Sequence, residues 1–87
     1  MKFAVVYTYP EDKSAIAEAR PRHREYLSSL SQQGKLHAAG PFAGDAGALI
    51  IYEAESQDEV EALIAADPFR AAGVFASWTV HPWNKVF

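Results

Sequence analysis

Ala48-Leu49-Ile50-Ile51-Tyr52-Glu53-Ala54, followed by Glu55 and Ser56-Gln57-Asp58-Glu59, is the stretch on which the fold turns. Residues 48–54 form a nearly continuous apolar run and read as a strand. The run is far short of the roughly 20 residues that span a bilayer. Leu49 and Ile51 alternate with Ile50 and Tyr52, so both faces of the strand are apolar and both need cover. The strand stops against a capping box, in which Ser56 caps the coming helix while Glu59 reaches back. That helix runs to about residue 66. Asp67-Pro68 ends it, because a residue before proline avoids helical dihedrals.

Upstream, residues 42–47 carry Gly44, Asp45 and Gly47, the chemistry of a hairpin loop. A short strand, 35–41, precedes it and is closed by Gly40-Pro41. Residues 15–33 hold helix formers throughout, with Gly34 as the stop signal. Pro21 interrupts them and predicts either a kink or a fresh helix start. Residues 11–14 are a polar connection, and 2–9 form the first strand, ended by Pro10. Downstream, 69–73 read as a connection, 74–81 as the last strand and 82–87 as a tail. Ala76, Trp78 and Val80 make one apolar row of that strand.

The resulting order, β-α-β-β-α-β, is the split-βαβ or ferredoxin-like plan. It predicts an α+β fold, a four-stranded antiparallel sheet with two helices on one face. The chain, 1–87, reads as a single domain, with no repeat, linker or low-complexity segment. Phe3, Val5 and Tyr7 alternate with Ala4 and Val6, so this strand too is apolar on both sides. The sheet face away from the helices has no cover within the chain. A second copy is the simplest cover, which predicts a homodimer through the open sheet face. A domain this small also gains from oligomerisation when it has no disulfide or metal to hold it.

There is no cysteine, which excludes disulfides, thiolate metal sites and a cysteine nucleophile. It also fits a reducing compartment. The net charge is −3, and the only basic cluster is Arg20, Arg22 and Arg24. Nucleic acid is therefore not an expected partner, whereas an anionic small molecule is compatible. No targeting or membrane-spanning segment is visible, and a cytoplasmic location is expected.

Two polar residues stand where the helical pattern asks for apolar ones. The inward stripe of the first helix is Ile16, Ala19, His23, Tyr26, Leu27 and Leu30. That of the second is Val60, Leu63 and Ile64, and the same spacing then reaches Asp67. The ferredoxin-like plan makes these helices neighbours, so the imidazole and the carboxylate can meet beside one cavity. Histidine exchanges protons near neutrality, and a carboxylate on one ring nitrogen makes the other a better base. The reverse assignment, with Asp67 as base and His23 as acid, stays open. So does a purely structural role, a satisfied core histidine and a turn aspartate. Gly40 and Pro41 close a strand and sit where a cavity mouth is expected. Phe69 is a candidate wall for an aromatic-sized pocket. Ser77 and Thr79 are weaker sources of a hydroxyl. His37 and His81 have no metal-binding spacing with His23. No phosphate-binding loop, dinucleotide fingerprint or nucleophile elbow appears, and neither metal nor cofactor is expected.

The ordered set Arg20-Pro21-Arg22-His23, Tyr26-Leu27, Gly34-Lys35-Leu36, Gly40-Pro41, Asp67-Pro68-Phe69 and His81-Pro82-Trp83 resembles the YciI-like (YCII-related domain) family over nearly the whole chain. No single piece is specific; the order and spacing are. The resemblance implies a dimeric α+β barrel, in which two sheets pack face to face. It also implies a catalytic acid–base pair at His23 and Asp67, with Arg20 holding an anionic group. The function expected from it is a cofactor-independent enzyme of the lyase, isomerase or dehydrochlorinase type, acting on a small anionic or phenolic metabolite. The alternative is a non-catalytic binding or interaction module with a structural His–Asp pair.

Overall fold

The two most apolar strands, β1 (Lys2–Thr8) and β3 (Gly47–Glu53), form the centre of the sheet, because only central strands can bury both faces. The computed structural model describes residues 1–87. The edges are β2 (Leu36–Pro41) and β4 (Ser77–Trp83), giving the order β2-β3-β1-β4 with every pairing antiparallel. This is the ferredoxin-like α+β fold. The β1–β3 register sets Phe3, Val5 and Tyr7 opposite Tyr52, Ile50 and Ala48, and all six are buried beneath the helices. The alternate set, with Ala4 opposite Ile51 and Val6 opposite Leu49, lies on the open face. Gly47 is required where it stands, since any side chain there would run into the Tyr7 carbonyl.

Helix α1 (Ser14–Gln32) buries Ile16, Ala19, His23 and Leu30 against the sheet, and α2 (Gln57–Ala66) buries Val60 and Ile64. The Tyr26 hydroxyl ties the two by donating to the Leu63 carbonyl at 2.7 Å. Ser56 Oγ accepts from the Glu59 amide, and the Glu59 carboxylate reaches back to the Glu55 amide, one residue earlier than a standard capping box.

Three elements decide or depart from the sequence reading. Helix α1 is continuous through Pro21, so of the two alternatives, a kink or a fresh start, the fresh start does not occur. Proline deprives the Ala17 carbonyl of its donor, but Pro21 and Ala17 are both exposed, so water can take that place. Residues Pro68–Ala71 are not an irregular connection but a short helix, α3, started by a proline in its first turn and packed against both α1 and α2. The last strand is displaced: β4 is Ser77–Trp83, not 74–81. Val74 and Phe75 are buried as core plugs, not ladder residues. The Val74 amide bonds the Phe69 carbonyl, and pairing with β1 starts at Ser77 opposite Thr8. An edge strand tolerates Pro82. Ala76 therefore precedes the strand, while Trp78 and Val80 face the helices beside Tyr7 and Val5.

Candidate active site

Asp67 ends α2 in an extended conformation, at φ −69° and ψ 130°. That conformation turns its carboxylate back over the start of α3, where Oδ1 accepts from the Phe69 amide at 2.9 Å. The same carboxylate meets His23 Nδ1 of α1, with Oδ1 at 2.8 Å and Oδ2 at 3.0 Å. Phe69 stacks on the imidazole at a centroid distance of 3.8 Å and an interplanar angle of 10°, and Phe75 meets it edge-on at 6.1 Å. A carboxylate and two rings thus hold the imidazole in one orientation.

His23 is 7% exposed and Asp67 only 1%. Nδ1 is engaged by the carboxylate, and Nε2 has no hydrogen bond within the protein. No sealed side-chain nitrogen or oxygen lacks a partner, so Nε2 is open to solvent. The opening is a cavity of about 250 Å³ between α1, α3 and the β2–β3 half of the sheet. His23, Arg20, Gly40, Pro41 and Phe69 all line it, as do Leu27, Ala48 and Ile50. Asp67 does not line it and sits behind His23.

Arg20 reaches the cavity already paired, with Nη2 3.3 Å from Asp45 Oδ1. Asp45 is presented by a 3₁₀ turn, Ala43–Asp45, in which Gly44 (φ 82°) and Asp45 (φ 54°) both take left-handed conformations. Ser77 and Thr79 are opposite Thr8 and Val6 on the open face and contribute nothing to the cavity. His81 shares that face and bonds Thr79 Oγ1 at 3.0 Å, and His37 is exposed in a bulge of β2. No three His, Asp or Glu side chains converge to hold a metal ion.

Besides apolar residues of the wall, two lining residues with polar groups escaped the sequence reading: Tyr9 and Arg24. Signals for both existed. Tyr9 continues the alternation Phe3, Val5, Tyr7 beyond the strand, and Arg24 lies one helical turn after Arg20. Burial holds the Tyr9 phenol above its ordinary range, with Arg20 pulling the other way, so it remains an O–H donor at neutral pH.

The YCII-related domain signature matches residues 1–84. The chain belongs to this family. Protein YciI of Escherichia coli O6:H1 is 37% identical over 93 aligned positions, covering 91% of this chain and 95% of that protein. Among solved structures, 5-chloro-2-hydroxyhydroquinone dehydrochlorinase from Burkholderia phenoliruptrix AC1100, in complex with 2,5-dihydroxybenzoquinone, superposes with a TM-score of 0.85 at 31% identity, covering 97% of this chain and 94% of that one. An antibiotic biosynthesis monooxygenase shares the fold alone, at 18% identity and a TM-score of 0.59, covering 99% of each chain. That dehydrochlorinase structure was solved with a small ring compound bound. No helix of this member is long and apolar enough to cross a membrane.

Proposed function

We propose that this protein is a cofactor-independent enzyme that moves protons on a small anionic or phenolic metabolite, in a reaction of the lyase, isomerase or dehydrochlorinase type. The observation that carries this reading is the free Nε2 of His23, fixed from behind by Asp67 and open to the cavity. An ionised carboxylate only accepts, so Nδ1 carries its proton and Nε2 presents a lone pair. Nε2 then takes a proton from the ligand, and the imidazolium so formed is held by Asp67. In a dehydrochlorination the electron pair released by that proton expels chloride. In an isomerisation the proton returns at another atom. Arg20, Gly40, Pro41 and Phe69 are the proposed binding residues around it. The dehydrochlorinase similar to this chain supports the substrate class.

The test is turnover of hydroquinones and hydroxyhydroquinones, with and without chlorine, followed by chloride release and ultraviolet absorbance. Asp67→Asn is the diagnostic variant. Its Oδ1 still accepts from the Phe69 amide and from Nδ1, but the neutral amide no longer supplies the negative charge that holds the imidazolium formed when Nε2 takes a proton. Turnover should fall by about 10²-fold or more with the fold retained. A wild type inert towards the whole panel would favour the second reading, a binding module whose His–Asp pair only joins α1 to α3. That reading has its own support, since Oδ1 also caps α3.

We also propose a cytoplasmic homodimer through the open sheet face, where Ala4, Val6, Leu49 and Ile51 form an apolar patch and Val6 is 38% exposed. Light scattering should give about twice the chain mass of 9.6 kDa. A monomer at micromolar concentration would remove the dimer.

A further inference from the structure

The cavity has more charge and more hydrogen-bonding capacity than the proton pair uses. Asp67 answers His23, and Asp45 answers Arg20. Arg24 makes no ion pair and no hydrogen bond, although it lines the same wall one turn further along α1. Its helical neighbours at three and four residues are Arg20, Pro21, Leu27 and Ser28, none of them acidic. The Arg24 guanidinium is thus the one uncompensated charge on the cavity wall. Tyr9 is the second unsatisfied group. It is 7% exposed, its ring meets Phe69 edge-on at 6.0 Å, and its hydroxyl has no partner in the protein. Since no sealed side-chain oxygen lacks a partner, that hydroxyl is open to solvent, and Tyr9 is one of the residues that line the cavity.

The rest of the wall is apolar, from Leu27, Pro41, Ile50 and Phe69, which suits the faces of a ring. At about 250 Å³ the space is smaller than the ~300–1,000 Å³ of drug-sized sites, so it takes a single ring.

We propose that Arg24 and the Tyr9 hydroxyl anchor an ionised oxygen of the ligand, which is therefore a single-ring acid: a hydroxyquinone, an acidic phenol or a ring carboxylate. The anchor rests on reading this cavity as the ligand site. Arg20, already paired with Asp45, remains a binding residue of the wall, and the anion's charge falls to Arg24. The Tyr9 O–H donates to the same ionised oxygen that Arg24 neutralises, and His23 works on another atom of the ring. A neutral ring of equal size fills the walls and leaves Arg24 and Tyr9 unanswered.

The experiment compares 2,5-dihydroxybenzoquinone, which is ionised at neutral pH, with hydroquinone, which is not. Binding is measured by calorimetry to the wild type, Arg24→Gln and Tyr9→Phe. The wild type should prefer the anion by about tenfold or more, and each variant should weaken anion binding by about tenfold while leaving hydroquinone unchanged. Added salt should weaken the anion complex of the wild type more than that of Arg24→Gln. Melting temperatures should not move, because neither the Arg24 guanidinium nor the Tyr9 hydroxyl has a hydrogen-bond partner in the folded chain and Tyr9→Phe keeps the ring against Phe69. Equal affinity for the two rings, undiminished anion binding in both variants, or no anion binding by the wild type would each overturn the anchor. The proton-transfer reading stands or falls separately. Turnover that depends on Asp67 but ignores Arg24 and Tyr9 removes the anchor and keeps the enzyme. Anion binding through Arg24 and Tyr9 with no turnover keeps the anchor and removes the enzyme.

Discussion

Two buried polar pairs lie under the same sheet, and they are built to different ends. Tyr7 and Tyr52 join hydroxyl to hydroxyl at 2.6 Å between the two central strands, at 1% and 0% exposure. His23 and Asp67 join α1 to the start of α3 at a similar distance, 2.8 Å. The tyrosine pair closes on itself. Phe75 stacks on Tyr7 at 3.8 Å, and burial holds both phenols far above their ordinary range. The histidine pair leaves one nitrogen over, and that nitrogen faces an opening. Burial and polarity do not separate a site from a structural bond. Unused bonding capacity beside a cavity does.

The largest effect that would test this contrast is on stability. Asp67→Ala removes the cap of α3, worth about 0.5–2 kcal/mol. It also removes the acceptor of His23, worth about 1.5–3 kcal/mol. The sum predicts a loss of about 2–5 kcal/mol in urea denaturation. A loss below about 1 kcal/mol would mean that the carboxylate does not hold α1 to α3 and that the two pairs differ even more than proposed.

A smaller effect is expected at the sealed pair. Tyr7→Phe or Tyr52→Phe leaves the other hydroxyl buried alone, at a cost of about 1–2 kcal/mol each. The double variant removes both hydroxyls and should cost less than the sum, with a coupling of about 1 kcal/mol. Additive losses would show that the hydroxyls do not satisfy one another. Neither single variant should alter ligand binding, and a change there would erase the distinction between the pairs.

The smallest effect is alkaline. The folded chain keeps Tyr7 and Tyr52 protonated above the pH at which free phenols ionise, chiefly through burial. Their contribution is therefore complete below about pH 10, the unfolded value, and declines as pH rises towards the raised folded values. Each phenol should cost about 1 kcal/mol between pH 10 and 11, read from denaturation midpoints. Tyr9 and Tyr26, less deeply buried and raised in the same direction, add less. The double phenylalanine variant should flatten most of the slope. An unchanged slope would place the alkaline loss elsewhere.

Much of the site was legible because its residues break a pattern. His23 stands out only against Ile16, Ala19 and Leu30, and Asp67 only against Val60 and Ile64. Tyr9 and Arg24 break none. A tyrosine on an apolar alternation reads as core, and an arginine on a helix reads as surface.

The order of the four strands and the two long helices, the alternation that sends Phe3, Val5 and Tyr7 to one side, the Ser56–Glu59 cap and the stop at Asp67-Pro68 were all determined by the sequence itself. Each depends on neighbours within a few positions, where dihedral preference and the periods of strand and helix act directly. Only the tertiary structure decided that β4 starts at Ser77, that Asp45 occupies Arg20, that Arg24 and the Tyr9 hydroxyl have no partner, and that Asp67 stands behind His23 instead of beside it. His23 and Asp67 are 44 positions apart, and Arg20 and Asp45 are 25 apart. Which polar atoms find each other over such separations is settled when the helices dock on the sheet, because the packing that excludes water also fixes which groups keep a free bond.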